Sequence, residues 1–284
     1  TLWNQRLSRT ARGARLHGMN IPIVVAMAVT GFAMTGLGGQ TGDSAMPSFI
    51  ERLVAASEPI RSLRCEARRE TEVNGARAAL LSRVWFQRPD RLHVESAAPV
   101  PRRIVVDGVA IYKWVEGHPD GLRLPLKEAP ESELIQVRRV PGTAEEQLLR
   151  LRGLPEIELP PTAEFPVRRA FHPPAPHPYT IVSLDVEGRV ARVEYFEDER
   201  ADRPALTTDY SGWQRTPEGV WLAAVQRTTA RGRDGETVVE TLRLSGFAVN
   251  TEIEPERFDP TRWAKGVRFH SLEELTGKLT GEKK

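Results

Sequence analysis

Apolar and polar residues alternate along most of this chain with the two-residue period of a half-buried strand. The alternation that begins at Leu63 reaches Asn74-Gly75, a strong β-hairpin signal, and predicts a return strand over 77–87. Similar runs, joined by short turns, predict further strands at 91–95, 103–106, 109–115, 179–186, 189–197, 206–213, 220–231 and 237–247. The pattern therefore predicts a mainly β fold of the α+β class, a curled antiparallel sheet or incomplete β-barrel.

Helical periodicity is confined to short segments. Apolar residues follow Ser48 at helical spacing, and Ser48 can form a capping box with Glu51, so a helix is expected to begin there and to end at Pro59. A short amphipathic helix is also predicted over 271–279.

Residues 141–152 predict another short helix, which we interpret as a lid over the sheet. Thr143 and Glu146 have the spacing of a capping box, and Leu148 and Leu149 supply an apolar side. The following residues, 155–178, hold eight prolines and predict a stiff, extended loop rather than a strand.

The first 45 residues predict export. Arginines precede an uncharged run at 21–37, and small or polar residues follow it, in the order of a secretory signal. Because 17 residues are close to the lower limit for crossing a bilayer, an uncleaved membrane anchor is the alternative. The expected division is a signal peptide or anchor at 1–45, one domain at 46–270, and a C-terminal helix and tail at 271–284, in the periplasm or cell envelope.

The charge distribution argues against nucleic acid as a partner. The formal net charge is +2, and four arginines lie in the first 18 residues. Setting these four aside from the 40 lysines and arginines leaves 36 against 38 aspartates and glutamates. A phosphate-binding domain needs a basic surface that this balance does not provide.

Catalytic and metal-binding motifs are scarce, so no catalytic residue, metal site or cofactor is predicted. Prolines separate His172 from His177, and the acidic residues around 198–209 lack the spacing of a calcium loop. The single cysteine, Cys65, lies within a predicted strand and is expected to be a buried, small apolar residue.

The strand over 76–86 carries its more apolar residues at even positions, including Val84 and Phe86. Counting on by twos places Arg88 and then Leu92 on the same side. An arginine at the end of an apolar face is costly unless its guanidinium finds acceptors. Arg88 is thus either a structural cap at the rim or a functional residue.

Three features that follow one another resemble the LolA-like superfamily of periplasmic lipoprotein carriers. They are the strand end Trp85-Phe86-Gln87-Arg88-Pro89, a valine-rich strand that turns at Asp107-Gly108, and an aromatic strand that ends at Trp114. The preceding leader, amphipathic helix and Asn-Gly hairpin are in the same order as in that family. The chain is longer than the simple carriers, and residues 155–178 have no counterpart there.

The resemblance implies an incomplete barrel that takes lipid or lipoprotein acyl chains into an apolar cavity, and partner proteins in the inner and outer membranes. It implies that Arg88 binds the lid and holds the empty cavity shut, and that Leu92 lies on the wall. With Val84 and Phe86 on the wall and Leu148 and Leu149 on the lid, these six residues form the predicted site.

Two other functions compete with a carrier. The resemblance extends to periplasmic regulators of envelope-stress signalling, which would make the chain a lipid sensor bound to a membrane partner. An exported hydrolase would need a nucleophile among Ser82, Ser183 and Ser211, none of which has a base visible in the sequence. The expectation is therefore a carrier and not an enzyme.

Overall fold

The computed structural model describes residues 48–98, 100–172, 179–197, 201–231 and 236–275. The strands are β1 (Ser62–Val73), β2 (Ala76–Gln87), β3 (Arg91–Ala98), β4 (Arg102–Asp107), β5 (Ala110–Val115), β6 (Asp120–Pro125), β7 (Glu156–Leu159), β8 (Val167–Phe171), β9 (Tyr179–Leu184), β10 (Val190–Phe196), β11 (Leu206–Arg215), β12 (Trp221–Arg231), β13 (Thr237–Val249) and β14 (Arg268–His270). The helices are α1 (Phe49–Ala55), α2 (Glu131–Arg138), α3 (Glu145–Leu149) and α4 (Pro260–Trp263). The predicted leader at 1–45 lies outside the described residues.

All fourteen strands belong to one sheet, in the order β14-β6-β5-β4-β3-β2-β1-β13-β12-β11-β10-β9-β8-β7. Every neighbouring pair is antiparallel except β14 with β6. The sheet is curled and does not close, so the predicted mainly β, incomplete-barrel fold is confirmed. No helix within the described ranges is long and apolar enough to cross a membrane.

The Asn74-Gly75 turn sets the register of the central hairpin. Both residues have positive φ, 51° and 82°, as a two-residue hairpin turn requires. The resulting register pairs Leu63 with Phe86 and Cys65 with Val84. Odd residues of β1 and even residues of β2 therefore share one face of the sheet, which is the face that the alternation predicts to be apolar.

Two predictions about the middle of the chain are wrong. Residues 155–178 contain β7 and β8 rather than only a loop, because the prolines at 160, 161 and 166 lie between the two strands and remove no ladder hydrogen bond. The predicted capping box of Thr143 and Glu146 is absent, since α3 begins after Ala144 without a side-chain cap. The Ser48–Glu51 box is confirmed, but α1 ends at Ala55, before Pro59.

Short helices pack on one face of the sheet, which we call the inner face. Buried residues of α1 and α3 pack with β8–β12, and Val137 of α2 packs with Val106 and Ile111. Between these groups lies a cluster on β1, β2, β12 and β13, whose buried members are Ile60, Leu63, Cys65, Phe86, Val140, Val220, Leu222 and Leu244. The inner face thus carries the main apolar core.

The opposite face of β2–β5 is covered by the segment that follows β13. Its aromatic residues pack against Val105 and Trp114, and the Arg257 guanidinium lies 4.3 Å from the Trp85 ring centroid and 4.8 Å from that of Trp263. His93 lies between the two tryptophan rings, with no exposed surface. Its Nδ1–H donates to the Arg257 carbonyl at 2.6 Å. The histidine therefore joins the segment to the sheet.

His93 makes this attachment sensitive to acid. Burial, together with the nearby charges of Arg103 and Arg257, lowers the pKa of His93 to about 4, although the hydrogen bond to the Arg257 carbonyl acts in the opposite direction. As the pH falls, His93 is protonated in the unfolded chain at a higher pH than in the folded protein. The free energy of unfolding should therefore fall as the pH drops from about 6.5 towards 4, by up to about 3 kcal/mol. Urea unfolding across this range measures the slope. His93→Phe should reduce this dependence of stability on pH. An unchanged slope in the variant would contradict a role for His93 in it.

Candidate functional site

Arg88 follows β2 directly, and its side chain reaches α3 and the segment between α1 and β1. The guanidinium Nε–H donates to the Ile60 carbonyl at 3.0 Å, and Nη2 donates to Glu145 Oε1 at 2.7 Å and to Ser57 Oγ at 3.3 Å. The side chain is 28% exposed, and its guanidinium lies 5.8 Å from the Phe86 ring centroid. Arg88 thus connects the end of a central strand to α3 and to the segment that follows α1.

Glu145 is the acceptor at the centre of this contact, and its side chain is only 3% exposed. Oε1 accepts from Arg88 and from the Ser57 hydroxyl, while Oε2 accepts from the Val140 N–H at 2.5 Å. A buried carboxylate persists only when it is paired and hydrogen-bonded, and both of its oxygens have partners here. We call Arg88, Glu145 and Ser57 the latch.

The latch lies between two apolar clusters that hold the other predicted site residues. Phe86 is fully buried, and Val84 and Leu92 pack beside it as partly buried neighbours. Leu148, 2% exposed, belongs to the other cluster, and Leu149 packs against that cluster. The structure therefore distributes the six predicted residues over two neighbouring clusters, with Arg88 between them.

The second cluster is formed by α1, α3 and strands β8–β12. Leu148 shares it with Phe49 and Phe171, whose ring centroids are 6.3 Å apart, and with Tyr210. The Tyr210 hydroxyl is buried and has no hydrogen-bond partner among the described atoms, and burial raises the pKa of Tyr210. α3 is thus held to the sheet by apolar packing and by the latch.

The sequence interpretation missed Glu145 and Ser57. Glu145, Leu148 and Leu149 have the i, i+3, i+4 spacing of one helix side, which places the glutamate on the side that packs. That spacing was the available signal. The adjacent Glu146, to which we assigned a capping role, instead forms ion pairs with Arg139 at 2.5 Å and Arg150 at 3.2 Å.

The residues considered for other chemistry are placed differently. Cys65 is buried, and desolvation raises the pKa of its thiol to about 12. Among the described residues, Ser82 pairs with the Ser96 hydroxyl, Ser183 is buried without a partner, and no hydrogen bond joins Ser211 to an acid or a histidine. Nor do the described parts of the chain bring three histidine, cysteine or acidic side chains together to hold a metal.

The unclosed, curled antiparallel sheet with short helices over its inner face is similar to the fold of LolA-like proteins. Three similar solved structures are a DUF1329 family protein from Desulfovibrio piger, a LolA superfamily protein from Nitrosomonas europaea, and a domain assigned as an outer membrane lipoprotein-sorting protein from Vibrio parahaemolyticus. At 10–14% identity these similarities describe the fold alone.

The Desulfovibrio protein has a TM-score of 0.52 and 10% identity, over 73% of this chain and 94% of its own. The Nitrosomonas protein has a TM-score of 0.48 and 12% identity, and the Vibrio domain has 0.45 and 14%; each match covers 75% of this chain and 98% of the other. No family model matches the chain, and a search of curated proteins found no match.

Proposed function

We propose that this protein is an exported, non-enzymatic carrier that binds a lipid, or the acyl chains of a lipoprotein, on the inner face of its sheet. The observation that carries the proposal is the latch, which fastens α3 and the turn after α1 to the end of β2, between two apolar clusters, through an ion pair whose carboxylate is buried. The LolA-like fold supports it. In this proposal Val84, Phe86 and Leu92 line the site, Arg88 holds the lid, and Leu148 and Leu149 form the lid's apolar side.

The energetics suit a lid that a ligand displaces. Opening exposes lid leucines, each at a cost of about 1.5–3 kcal/mol, and breaks the latch. Each acyl methylene that is buried in the site contributes about 0.8 kcal/mol. The burial of about ten methylenes therefore offsets the several kcal/mol that opening the lid costs. Binding then shifts an equilibrium between closed and open forms by its preference for the open one.

The proposed location is the periplasm or cell envelope, with residues 1–45 as the signal or anchor and 46–270 as one ligand-binding domain. A carrier of this kind exchanges its cargo with membrane proteins on either side, so partners in the inner and outer membranes belong to the proposal.

Ligand uptake tests the carrier function directly. Delipidated full-length protein is titrated with a fluorescent fatty acid, and material extracted from the purified protein is identified by mass spectrometry. We expect saturable uptake and a co-purifying lipid. A well-folded sample that takes up no fatty acid and yields no lipid would overturn the carrier function.

A further inference from the structure

Two arginines extend over the inner face of the central strands, away from the latch. Odd residues of β1 share the inner face with even residues of β2, so Arg69, which pairs with Leu80, lies on it. Arg102 pairs with Ser96, and Ser96 with Ser82, which continues the same face to β4. The two arginines thus flank β2 and β3 from opposite sides.

Between the two arginines the inner face presents hydroxyl groups. Ser82 Oγ and Ser96 Oγ are 2.9 Å apart across β2 and β3. The next inner-face row towards the latch is apolar, since Val84 pairs with Val94 and Val94 with Ile104. All three are only partly buried. From Ser82 to Arg88 the strand runs about 20 Å, at about 3.3 Å per residue.

The positive charge of this group is only partly balanced. Glu240 lies 3.5 Å from Arg69, and Arg102 has no ion-pair partner among the described residues. Burial, and then the charge of Arg69, lower the pKa of Arg102, which places the two guanidinium groups within electrostatic reach of each other. Two neighbouring cations of which only Arg69 has a carboxylate partner favour an added anion.

We infer that Arg69 and Arg102, with the Ser82 and Ser96 hydroxyls between them, bind the acidic head of an anionic amphiphile whose hydrocarbon lies along Val84, Val94 and Ile104 towards the latch. The inference rests on the proposed function and names the ligand class: a hydrocarbon chain that ends in a carboxylate or phosphate. Guanidinium groups donate paired hydrogen bonds to either anion.

The test compares charged and neutral ligands on full-length protein. The probes are a fluorescent fatty acid, its methyl ester and a fluorescent short-chain phosphatidic acid, so that carboxylate and phosphate are separate arms. The variants are Arg69→Gln, Arg102→Gln and the control Arg83→Gln, since Arg83 lies next to Ser82 on the opposite face of β2 and its own side chain is exposed. Circular dichroism and melting temperature establish that each variant is folded.

We expect Arg69→Gln and Arg102→Gln each to weaken binding of at least one acidic probe about tenfold, with the methyl ester unaffected and Arg83→Gln without effect. The acidic probe that loses more affinity identifies the head group. Equal losses for ester and acid, or an equal effect of Arg83→Gln, would overturn the inference and leave the carrier function standing. Failure of the wild-type protein to bind any of the three probes would overturn both.

Discussion

Replacing Arg88 with methionine is expected to lower the free energy of unfolding of the ligand-free protein by about 3 kcal/mol. Removing one partner of a buried ion pair costs about 3–5 kcal/mol because the remaining charge stays buried. The lower end applies here, since Glu145 retains the Ser57 hydroxyl and the Val140 N–H. Urea unfolding of the wild type and the variant measures the difference. Adding Glu145→Gln to Arg88→Met should recover much of the loss.

The same substitution is expected to strengthen ligand binding if the latch exists only in the closed form. Destabilising the closed form raises the population of the open form, so the apparent Kd of the ligand falls. The Kd falls by up to tenfold for each 1.4 kcal/mol by which the closed form is destabilised relative to the open form. Arg138→Met is the matched control, because Arg138 bonds Asp90 at 2.6 Å near the same end of the sheet with its side chain 49% exposed. An exposed pair of this kind contributes at most about 1 kcal/mol. Weaker binding by Arg88→Met would contradict the latch.

Leu148→Ala is the second substitution with a large expected effect, a loss of about 2–5 kcal/mol in the stability of the ligand-free protein. The leucine is nearly fully buried against Phe49 and Phe171, and truncation leaves a cavity in that cluster. If a ligand displaces α3, the leucine no longer packs there in the bound form. The stability difference from wild type should therefore shrink when both proteins are saturated with fatty acid.

Leu149→Ala provides the comparison for that experiment. It removes the same atoms from the adjacent residue, which is only partly buried, so a smaller loss is expected. Both differences are measured by thermal or urea unfolding with and without ligand. If Leu148→Ala lowers the free energy of unfolding by the same amount with and without saturating ligand, α3 remains packed when the ligand binds. That result would contradict a displaceable lid.

The long hairpins were predictable because local signals determine them. Asn74-Gly75 favours one turn geometry, and strands as long as β1 and β2 show the alternation over many residues. β7 and β8 span only four and five residues among prolines, so composition concealed them. β14 has three residues and pairs with a strand far away in the chain. α2 was missed because its apolar residues form no clear stripe.

The candidate site, too, could be predicted from the sequence only in part. The position of Arg88 on the apolar side followed from counting along one strand. Its partner did not, because capping preference drew attention to Glu146, while packing against α1 and the sheet makes Glu145 the buried residue. Tertiary packing selects between two adjacent glutamates, and local preference alone cannot.

The pairing of β1 with β13 has a consequence for how the protein is made. These strands are neighbours in the middle of the sheet, although most of the domain separates them along the chain. Contacts between distant residues slow folding, and an N-terminal fragment would leave the edge of β1 bare. We expect a nascent chain to stay unfolded until β13 has been synthesised, a delay that would suit the export proposed above, because a chain must be unfolded to be threaded across a membrane.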